Sequence, residues 1–281
     1  MKKLLSVMAI AAVCATLTAS CAVGAEGKTV AERLRAGEPV SAAWVLNNNI
    51  NAEIIAEAGF DVVVPDMEHA PVTIPQLINI LQAIKGTNCF PLVRAPANDL
   101  TILKQILDVG AQGVHVPFVN TKEEAEYAVR ACKYPPEGIR GIASSQRATT
   151  FAIRKDEYFA RANKDIIVIV AIESPTAVAN LEEIVKVPGI DGIFIAPSDL
   201  STSMGYFYNP AAPEVQKTIR YIEDVAKKAG KFVGTIASDF NAAKALYDRG
   251  YALVYYMSDN GVVSSAARAA VKQFKDVYGN K

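Results

Sequence analysis

Cysteine and histidine are scarce in this sequence, and charge of neither sign is in excess. The 281 residues include four cysteines and two histidines, and 29 basic residues balance 29 acidic ones. A net charge of zero provides no broad positive field of the kind that attracts nucleic acid or anionic membranes. We therefore expect no nucleic-acid partner and expect specificity to come from a local site.

Long hydrophobic runs are also few, and the longest lies at the N terminus. Two lysines precede an apolar run over 4–17 and small residues that end at Ala25, a pattern typical of a secretory signal peptide. The run is shorter than the roughly 20 residues that a transmembrane helix needs. We expect 1–25 to be a signal peptide and 26–281 to be a periplasmic chain without a membrane span. Cys21 ends an imperfect lipobox, so a lipoprotein anchored through Cys21 is the alternative.

The shortage of cysteine excludes a disulfide framework. Cys14 and Cys21 lie in the leader, which leaves Cys89 and Cys132 in a soluble mature chain. We expect these two to be small buried side chains, and a single disulfide bridge is the alternative.

Past the leader, short β-branched apolar runs alternate with segments of helical period, which indicates repeated βαβ units and a parallel sheet. The predicted strands are Ser41–Leu46, Val62–Glu68, Phe90–Pro96, Gly113–Val119, Ile167–Ser174, Gly192–Asp199, Phe232–Ser238 and Leu253–Asp259. Eight such units in one chain favour an α/β fold, a single-domain (β/α)8 TIM barrel, which commonly takes roughly 250 residues. An open doubly wound sheet is less favoured, because no Gly-x-Gly-x-x-Gly follows the first strand.

Local signals support the intervening helices. Asp99 can cap a helix that ends before Gly110, and Thr121 with Glu124 forms a capping box. One connection, from Tyr134 to about Asp165, is long for this fold, and we expect it to pack against another subunit.

Two carboxylates close neighbouring strands of the predicted barrel. Barrel enzymes build their active sites at the C-terminal strand ends, where Glu173 and Asp199 follow apolar runs. Paired carboxylates with free positions for water or substrate suit Mg²⁺ or Mn²⁺. We predict that Glu173 and Asp199 bind a divalent metal. The alternative is that each carboxylate only caps the following helix.

Three further polar residues lie on the predicted strands or directly after them. Arg94 lies in an apolar strand, where it can face a developing oxyanion or form a salt bridge to a carboxylate at the barrel mouth. His69 follows a strand end and can transfer a proton near neutral pH. His115 lies inside a strand, where packing is the simpler interpretation.

A barrel enzyme can activate a carbonyl substrate either through a Schiff base on a strand lysine or through a bound metal that helps an enolate to form. The predicted strands contain no lysine, which disfavours the Schiff-base route and leaves metal-assisted enolisation. The seventh and eighth strands end at Asp239 and Asp259 without a glycine-rich phosphate loop, so phosphosugar chemistry is not indicated.

The chain resembles the HpcH/HpaI family of class II pyruvate-dependent aldolases over nearly all of its mature length. The resemblance is carried by segments 58–61, 66–71, 93–94, 107–113, 134–136, 138–141, 172–173 and 197–201, which read AGFD, DMEHAP, VR, LDVGAQG, YPP, GIRG, IE and PSDLS. It implies a lyase that cleaves 4-hydroxy-2-oxo acids into pyruvate and an aldehyde. It also implies a bound divalent cation (Mg²⁺ or Mn²⁺, with Co²⁺ as an alternative) and a homo-oligomer.

By position, the resemblance makes Glu173 and Asp199 the metal ligands and Arg94 the group that binds the pyruvate oxygen. Backbone amides around Ser198 would take the substrate carboxylate. His69 would transfer protons with support from Asp108. Because that aspartate ends a helix leading to the opposite end of its own barrel, we expect it to reach a neighbouring subunit's site or to be structural.

Two positions depart from the family pattern. Ala171 stands where members commonly have glutamine, and Ala196, beside the substrate site, stands where they have glycine. These changes keep two alternatives open: a 2-oxo diacid decarboxylase or hydrolase on the same scaffold, and a noncatalytic exported protein that binds 2-oxo acids. The C-terminal segment Val262–Phe274 places Ala266 and Ala270 on one helical face with Phe274, which supports the homo-oligomer.

Overall fold

The computed structural model describes residues 27–279, and its strands form a closed parallel barrel in the order β1 to β8. The strands are β1 (Val40–Val45), β2 (Val62–Pro65), β3 (Phe90–Arg94), β4 (Gly113–Val116), β5 (Ile167–Ile172), β6 (Gly192–Ile195), β7 (Phe232–Ile236) and β8 (Leu253–Ser258). The predicted (β/α)8 barrel is confirmed.

Twelve α-helices surround or extend this barrel within the described residues. They are α1 (Val30–Arg35), α2 (Asn49–Glu57), α3 (Ile74–Ala83), α4 (Leu100–Asp108), α5 (Lys122–Cys132), α6 (Lys155–Asp165), α7 (Pro175–Ala179), α8 (Leu181–Ile184), α9 (Pro197–Ser203), α10 (Pro213–Lys228), α11 (Phe240–Asp248) and α12 (Asp259–Tyr278). The helix cap predicted at Asp99 and the capping box of Thr121 and Glu124 are both present.

The barrel interior is filled by side chains from alternate strand positions, as the period of two in a β-strand requires. The buried inward-facing cluster comprises Leu34, Val40, Ala42, Val62, Val64, Phe90, Leu92, Ile167, Ile169, Phe194, Phe232, Ala252, Leu253 and Tyr255. A second and larger apolar cluster lies between the strands and the outer helices. Because both faces are covered, the strands read as continuous hydrophobic runs.

Helix α1 packs against the inward-facing cluster, which the sequence pattern did not predict. Leu34 is fully buried in this cluster, and Val30 and Ala31 pack against it. Arg33 and Arg35 form ion pairs with Asp61 and Asp191, which directly precede β2 and β6. Helix α1 therefore covers the N-terminal end of the barrel, so the opposite end is the open one.

The predicted strands extend past the observed ones at their C-terminal ends. Strand β2 ends at Pro65 rather than Glu68, and β6 ends at Ile195 because Pro197 begins α9. Hydrophobic runs and polar endings do not show where the inter-strand hydrogen bonds stop. The residues beyond these ends consequently lie in loops or helix starts at the barrel mouth.

The long connection after α5 contains a 3-10 helix, Arg147–Thr149, and then α6. Two arginines anchor it to the end of α4: buried Arg140 donates to Asp108 (2.7 Å), and Arg147 donates to the Val109 carbonyl oxygen (2.7 Å). Its packing against another subunit stays a prediction.

The predicted leader, with Cys14 and Cys21, lies outside the described residues. Cys89 and Cys132 are buried and free, as the simpler interpretation expected. None of the helices in the described part of the chain is long and apolar enough to cross a membrane.

Candidate active site

The C-terminal strand ends enclose a cavity of about 290 Å³ at the barrel mouth, near the lower end of the roughly 300–1,000 Å³ range of small-molecule sites. We call it the mouth cavity. Its lining residues are Trp44, Leu46, Asp66, His69, Arg94, Phe194, Ala196, Pro197, Ser198, Asp199, Ile236 and Ser258. Most of the residues predicted for the site therefore lie on this one cavity.

Strand alternation brings Arg94 and Glu173 to the mouth of the barrel. On β3, Phe90 and Leu92 point into the barrel, so Arg94 points the same way one step higher. The same alternation carries Ile167 and Ile169 of β5 upward to Glu173. Polar side chains therefore continue the inward-facing series at the point where the apolar interior ends.

Arg94 is held rigidly by two carboxylates. Its Nε donates to Oδ1 of Asp66 (2.8 Å), its Nη2 donates to Oδ2 of Asp66 (2.6 Å), and its Nη1 lies 3.2 Å from Oε2 of Glu68. Burial alone would raise the pKa of Asp66, but the hydrogen bonds and charge of Arg94 lower it. The salt bridge expected as an alternative for Arg94 is thus present, and it fixes the guanidinium at the edge of the cavity.

An aromatic layer supports this arginine. The Arg94 guanidinium carbon lies 4.4 Å from the centre of the Trp44 ring, a cation–π distance. Tyr255 meets Trp44 edge-on at 4.6 Å, and Phe194 packs 4.8 Å from Tyr255. The aromatic rings therefore support one face of the guanidinium, while its carboxylate partners bind its nitrogen atoms.

His115 belongs to this layer, which confirms the packing interpretation. Its ring centre lies 4.3 Å from that of Phe194, and Tyr255 is its hydrogen-bond neighbour at 3.5 Å. Burial, reinforced by the charge of Arg94, lowers the pKa of His115 well below its usual value. The imidazole is consequently neutral and apart from the mouth cavity.

Glu173 is buried directly after β5 and is only 5% exposed. Burial raises the pKa of Glu173 to about 7, and the negative charges of Asp199 and Glu68 add to the rise. The backbone N–H of Phe118 donates to Oε1 (2.6 Å) and opposes the rise. Ser174, not Glu173, caps the following helix. The capping alternative is therefore wrong for Glu173, and its carboxylate shares a site with other carboxylates.

Asp199 lies in the first turn of α9 and does not cap that helix with its side chain. Within residues 27–279, no hydrogen bond or ion pair engages its carboxylate. No group of three or more His, Cys, Asp and Glu side chains in the described chain forms a metal site by itself. Glu173 and Asp199 are nevertheless close enough for the charge of Asp199 to raise the pKa of Glu173.

The start of α9 presents unpaired amides to the mouth cavity. Ser198 and Asp199 follow Pro197 in the first helical turn, where N–H groups have no intrahelical acceptor. Among the described residues, none accepts a hydrogen bond from these two amides. Ala196, the residue before the helix, lines the cavity beside them.

His69 and Asp108 are not brought together within one chain. His69 lines the mouth cavity, with a largely exposed side chain whose Nε2 lies 3.8 Å from Oε2 of Glu68. Asp108 ends α4, which leads to the start of β4 at the other end of the barrel, and binds Arg140 there. Within the single chain, Asp108 therefore has a structural role as the partner of Arg140.

The observed strands contain no lysine, as predicted from the sequence. Sequence reasoning missed the roles of Asp66, Trp44 and Tyr255. Trp44 and Tyr255 lie at inward-facing positions of β1 and β8, and Asp66 continues the inward-facing series of β2 one residue past its end. Strict alternation counted from the strand starts could therefore have placed all three beside Arg94.

A closed (β/α)8 barrel with an acidic open mouth and one clamped arginine defines an α/β-barrel enzyme with its site at the C-terminal strand ends. Residues 42–266 match the HpcH/HpaI aldolase/citrate lyase family. The chain belongs to this family and is a carbon–carbon lyase of the aldolase type.

Named relatives agree with this assignment. The chain is 44% identical over 230 residues to a 5-keto-4-deoxy-D-glucarate aldolase of Escherichia coli O157:H7, covering 82% of this chain and 90% of the relative. A crystal structure of a HpcH/HpaI aldolase/citrate lyase family protein from Burkholderia cenocepacia J2315 superposes with a TM-score of 0.83 at 34% identity, covering 88% of this chain and 98% of that one. The crystal structure of the HpcH/HpaI aldolase from Desulfitobacterium hafniense DCB-2 superposes with a TM-score of 0.81 at 28% identity, covering 89% of this chain and 97% of that one.

Proposed function

We propose that this protein is a divalent-metal-dependent aldolase that cleaves or forms 4-hydroxy-2-oxo acids through a pyruvate enolate. The observation that carries the proposal is that Asp199 and the clamped Arg94 line one small cavity, and that the buried carboxylate of Glu173 is close enough to both for their charges to affect its pKa. The E. coli relative is named for an aldolase that acts on a keto-deoxy sugar acid, which is chemistry of the same type.

The residues present fit a divalent cation. Burial and the repulsion between carboxylates keep the pKa of Glu173 near 7, so a cation would relieve an unfavourable concentration of negative charge. Glu173 and Asp199 would hold it, as oxygen ligands of the kind that Mg²⁺ and Mn²⁺ prefer. Such a cation supplies positive charge at the 2-oxo acid as negative charge develops on its carbonyl oxygen.

The chain's own residues account for binding and orientation. The free amides of Ser198 and Asp199 can donate to the substrate carboxylate, next to Ala196. The Nη1 of Arg94, held in place by Asp66, can donate to the enolate oxygen. Because the guanidinium is fixed before substrate arrives, little reorganisation is needed in the transition state.

His69 is the proposed proton-transfer residue, since it lines the cavity and histidine is the residue type suited to proton transfer near neutral pH. In cleavage, the 4-hydroxyl group loses its proton, the electrons of the C3–C4 bond move into the enolate, and the aldehyde leaves. A proton returned to C3 completes pyruvate. Synthesis runs the same steps in reverse.

Product analysis tests this proposal. With Mg²⁺ or Mn²⁺ present, the protein should convert pyruvate and an aldehyde into a 4-hydroxy-2-oxo acid and should exchange the pyruvate methyl protons with solvent. Conversion of oxaloacetate to pyruvate and CO₂ without either activity would instead indicate a decarboxylase. Binding of pyruvate with no turnover under any of these metals would contradict the aldolase.

We also propose that residues 1–25 direct export to the periplasm. The mass of the protein purified from the periplasm of an expressing bacterium should correspond to a chain that begins at Glu26. A lipid-modified N terminus at Cys21 would support the lipoprotein alternative, and an intact N terminus would contradict export.

A further inference from the structure

The two proposed metal ligands lie just beyond the hydrogen-bonded part of the barrel. The pairing of β5 with β6 stops at Ile172 and Ile195, so Glu173 and Asp199 both follow the last paired residues. Helix α9, which carries Asp199, has seven residues. A helix shorter than about 12 residues is marginal by itself in water, so its position depends on contacts with the rest of the fold.

Ser203, the last residue of α9, joins the two ligand segments. Its hydroxyl donates to the main-chain carbonyl oxygen of Glu173 (2.7 Å). The same Oγ lies 2.8 Å from the carbonyl oxygen of Asp199 and 3.2 Å from that of Leu200. Among residues 27–279, no other hydrogen bond links Glu173 to α9. One hydroxyl therefore lies within hydrogen-bond distance of the main chain of both carboxylate residues.

This link matters because the two carboxylates repel each other when no cation lies between them. The charge of Asp199 raises the pKa of Glu173. Leu200 is fully buried in the outer apolar cluster and fixes one side of α9, but an apolar contact is non-directional and permits small shifts. The hydroxyl of Ser203 adds a directional bond. Groups that orient metal ligands in this way are typically worth 10- to 100-fold in metal affinity.

We propose that Ser203 is a positioning residue of the metal site: its hydroxyl ties α9 to Glu173 and so sets the separation of the two carboxylates before a cation binds. This inference rests on the proposed metal-dependent function and adds a residue to it. Ser203 is not among the residues that line the mouth cavity, so it acts through the main chain of the ligands. Its removal should therefore weaken cation binding and leave the chemical step nearly unchanged once the cation is bound.

Binding of Mn²⁺ to the purified protein, measured by electron paramagnetic resonance without any substrate, tests this role. Ser203→Ala should weaken the Kd for Mn²⁺ by about tenfold. Ser203→Thr keeps the hydroxyl and should bind Mn²⁺ as tightly as the wild type. In pyruvate proton exchange, Ser203→Ala should need about tenfold more Mn²⁺ for half-maximal rate, and at saturating Mn²⁺ its rate should approach that of the wild type.

Thr218→Val is the matched control, because the Thr218 hydroxyl donates to the Glu214 carbonyl oxygen within α10 (2.9 Å). It deletes the same kind of local helical bond without a link to Glu173, so its Kd for Mn²⁺ should equal that of the wild type.

Two results would overturn this inference while leaving the aldolase intact. One is an unchanged Kd in Ser203→Ala, even with a lower urea midpoint of the metal-free protein, which would show that the hydroxyl only supports the fold. The other is a loss of affinity that Ser203→Thr does not repair. Absence of Mn²⁺ binding in the wild type would overturn the metal-dependent aldolase and this inference with it.

Discussion

Replacing Glu173 by glutamine should stabilise the metal-free protein at alkaline pH while removing its metal site. The carboxyl group is buried and its pKa is raised from 4.5 to about 7, so above neutral pH the folded state holds a charge that burial disfavours. At roughly 1.4 kcal/mol per pKa unit, the difference corresponds to about 3 kcal/mol at pH 8. The introduced amide would keep an oxygen acceptor for the Phe118 N–H without the charge.

The sign of the pH dependence follows from proton linkage. Between pH 4.5 and about 7, the folded state holds a proton on Glu173 that the unfolded state has lost, so the stability of the metal-free wild type falls as the pH rises through this window. The neutral glutamine does not titrate. The advantage of Glu173→Gln should therefore be close to zero at pH 4.5 and approach about 3 kcal/mol at pH 8.

Urea unfolding in the presence of a chelator, at pH 5 and pH 8, measures this difference. Glu53→Gln is a suitable control, because Glu53 is exposed on α2 and its replacement should change little at either pH. Adding Mg²⁺ should stabilise the wild type but not Glu173→Gln, since ligand binding stabilises only a folded state that has the site. Equal stabilities of the wild type and Glu173→Gln at pH 8 would refute the reasoning about a buried, repelling carboxylate.

Three further predictions follow from the same structure. Arg94→Lys should retain metal binding but lose turnover by about a hundredfold. Lysine cannot keep both the bidentate bond to Asp66 and a donor toward the cavity. Metal titration and steady-state kinetics measure the two effects. Ala171→Gln should cost about 1–3 kcal/mol in urea unfolding, because Ala171 is buried beside Phe194 and the added side chain overpacks the interior. The protein should sediment as a homo-oligomer, because α12 exposes apolar side chains such as Val263 and Phe274; a monomer at micromolar concentration with full activity would contradict this.

The barrel could be predicted because its physical signals are local and repeated. Each strand is a short apolar run bounded by a helix with its own start and stop signals, as at Asp99 and Thr121. Strand ends were less predictable, because Glu68 and Asp199 continue the pattern after inter-strand hydrogen bonding has stopped. Helix α1 escaped prediction, since its burial depends on closure of the whole barrel.

The candidate site was only partly predictable for a similar reason. Glu173, Asp199 and Arg94 stand out as charged residues within or after apolar strands, so their position alone marks them. The clamp of Asp66 on Arg94 and the support from Trp44 depend on which strands are neighbours and on side-chain direction. Linear spacing does not contain that information. It comes from closing the barrel and counting alternate positions on each strand.

Proton exchange of the pyruvate methyl group, measured by NMR in D₂O, tests the central claim most directly because it reports enolate formation without an aldehyde. The wild-type protein should catalyse exchange with Mg²⁺ or Mn²⁺, lose it on chelation and regain it when metal is restored. Asp199→Ala should lose metal and exchange together, whereas Asp224→Ala, at an exposed position on α10, should retain both. Exchange that persists in chelator-treated wild type, or at near-normal rate in Asp199→Ala, would contradict the account and leave these carboxylates a structural role only.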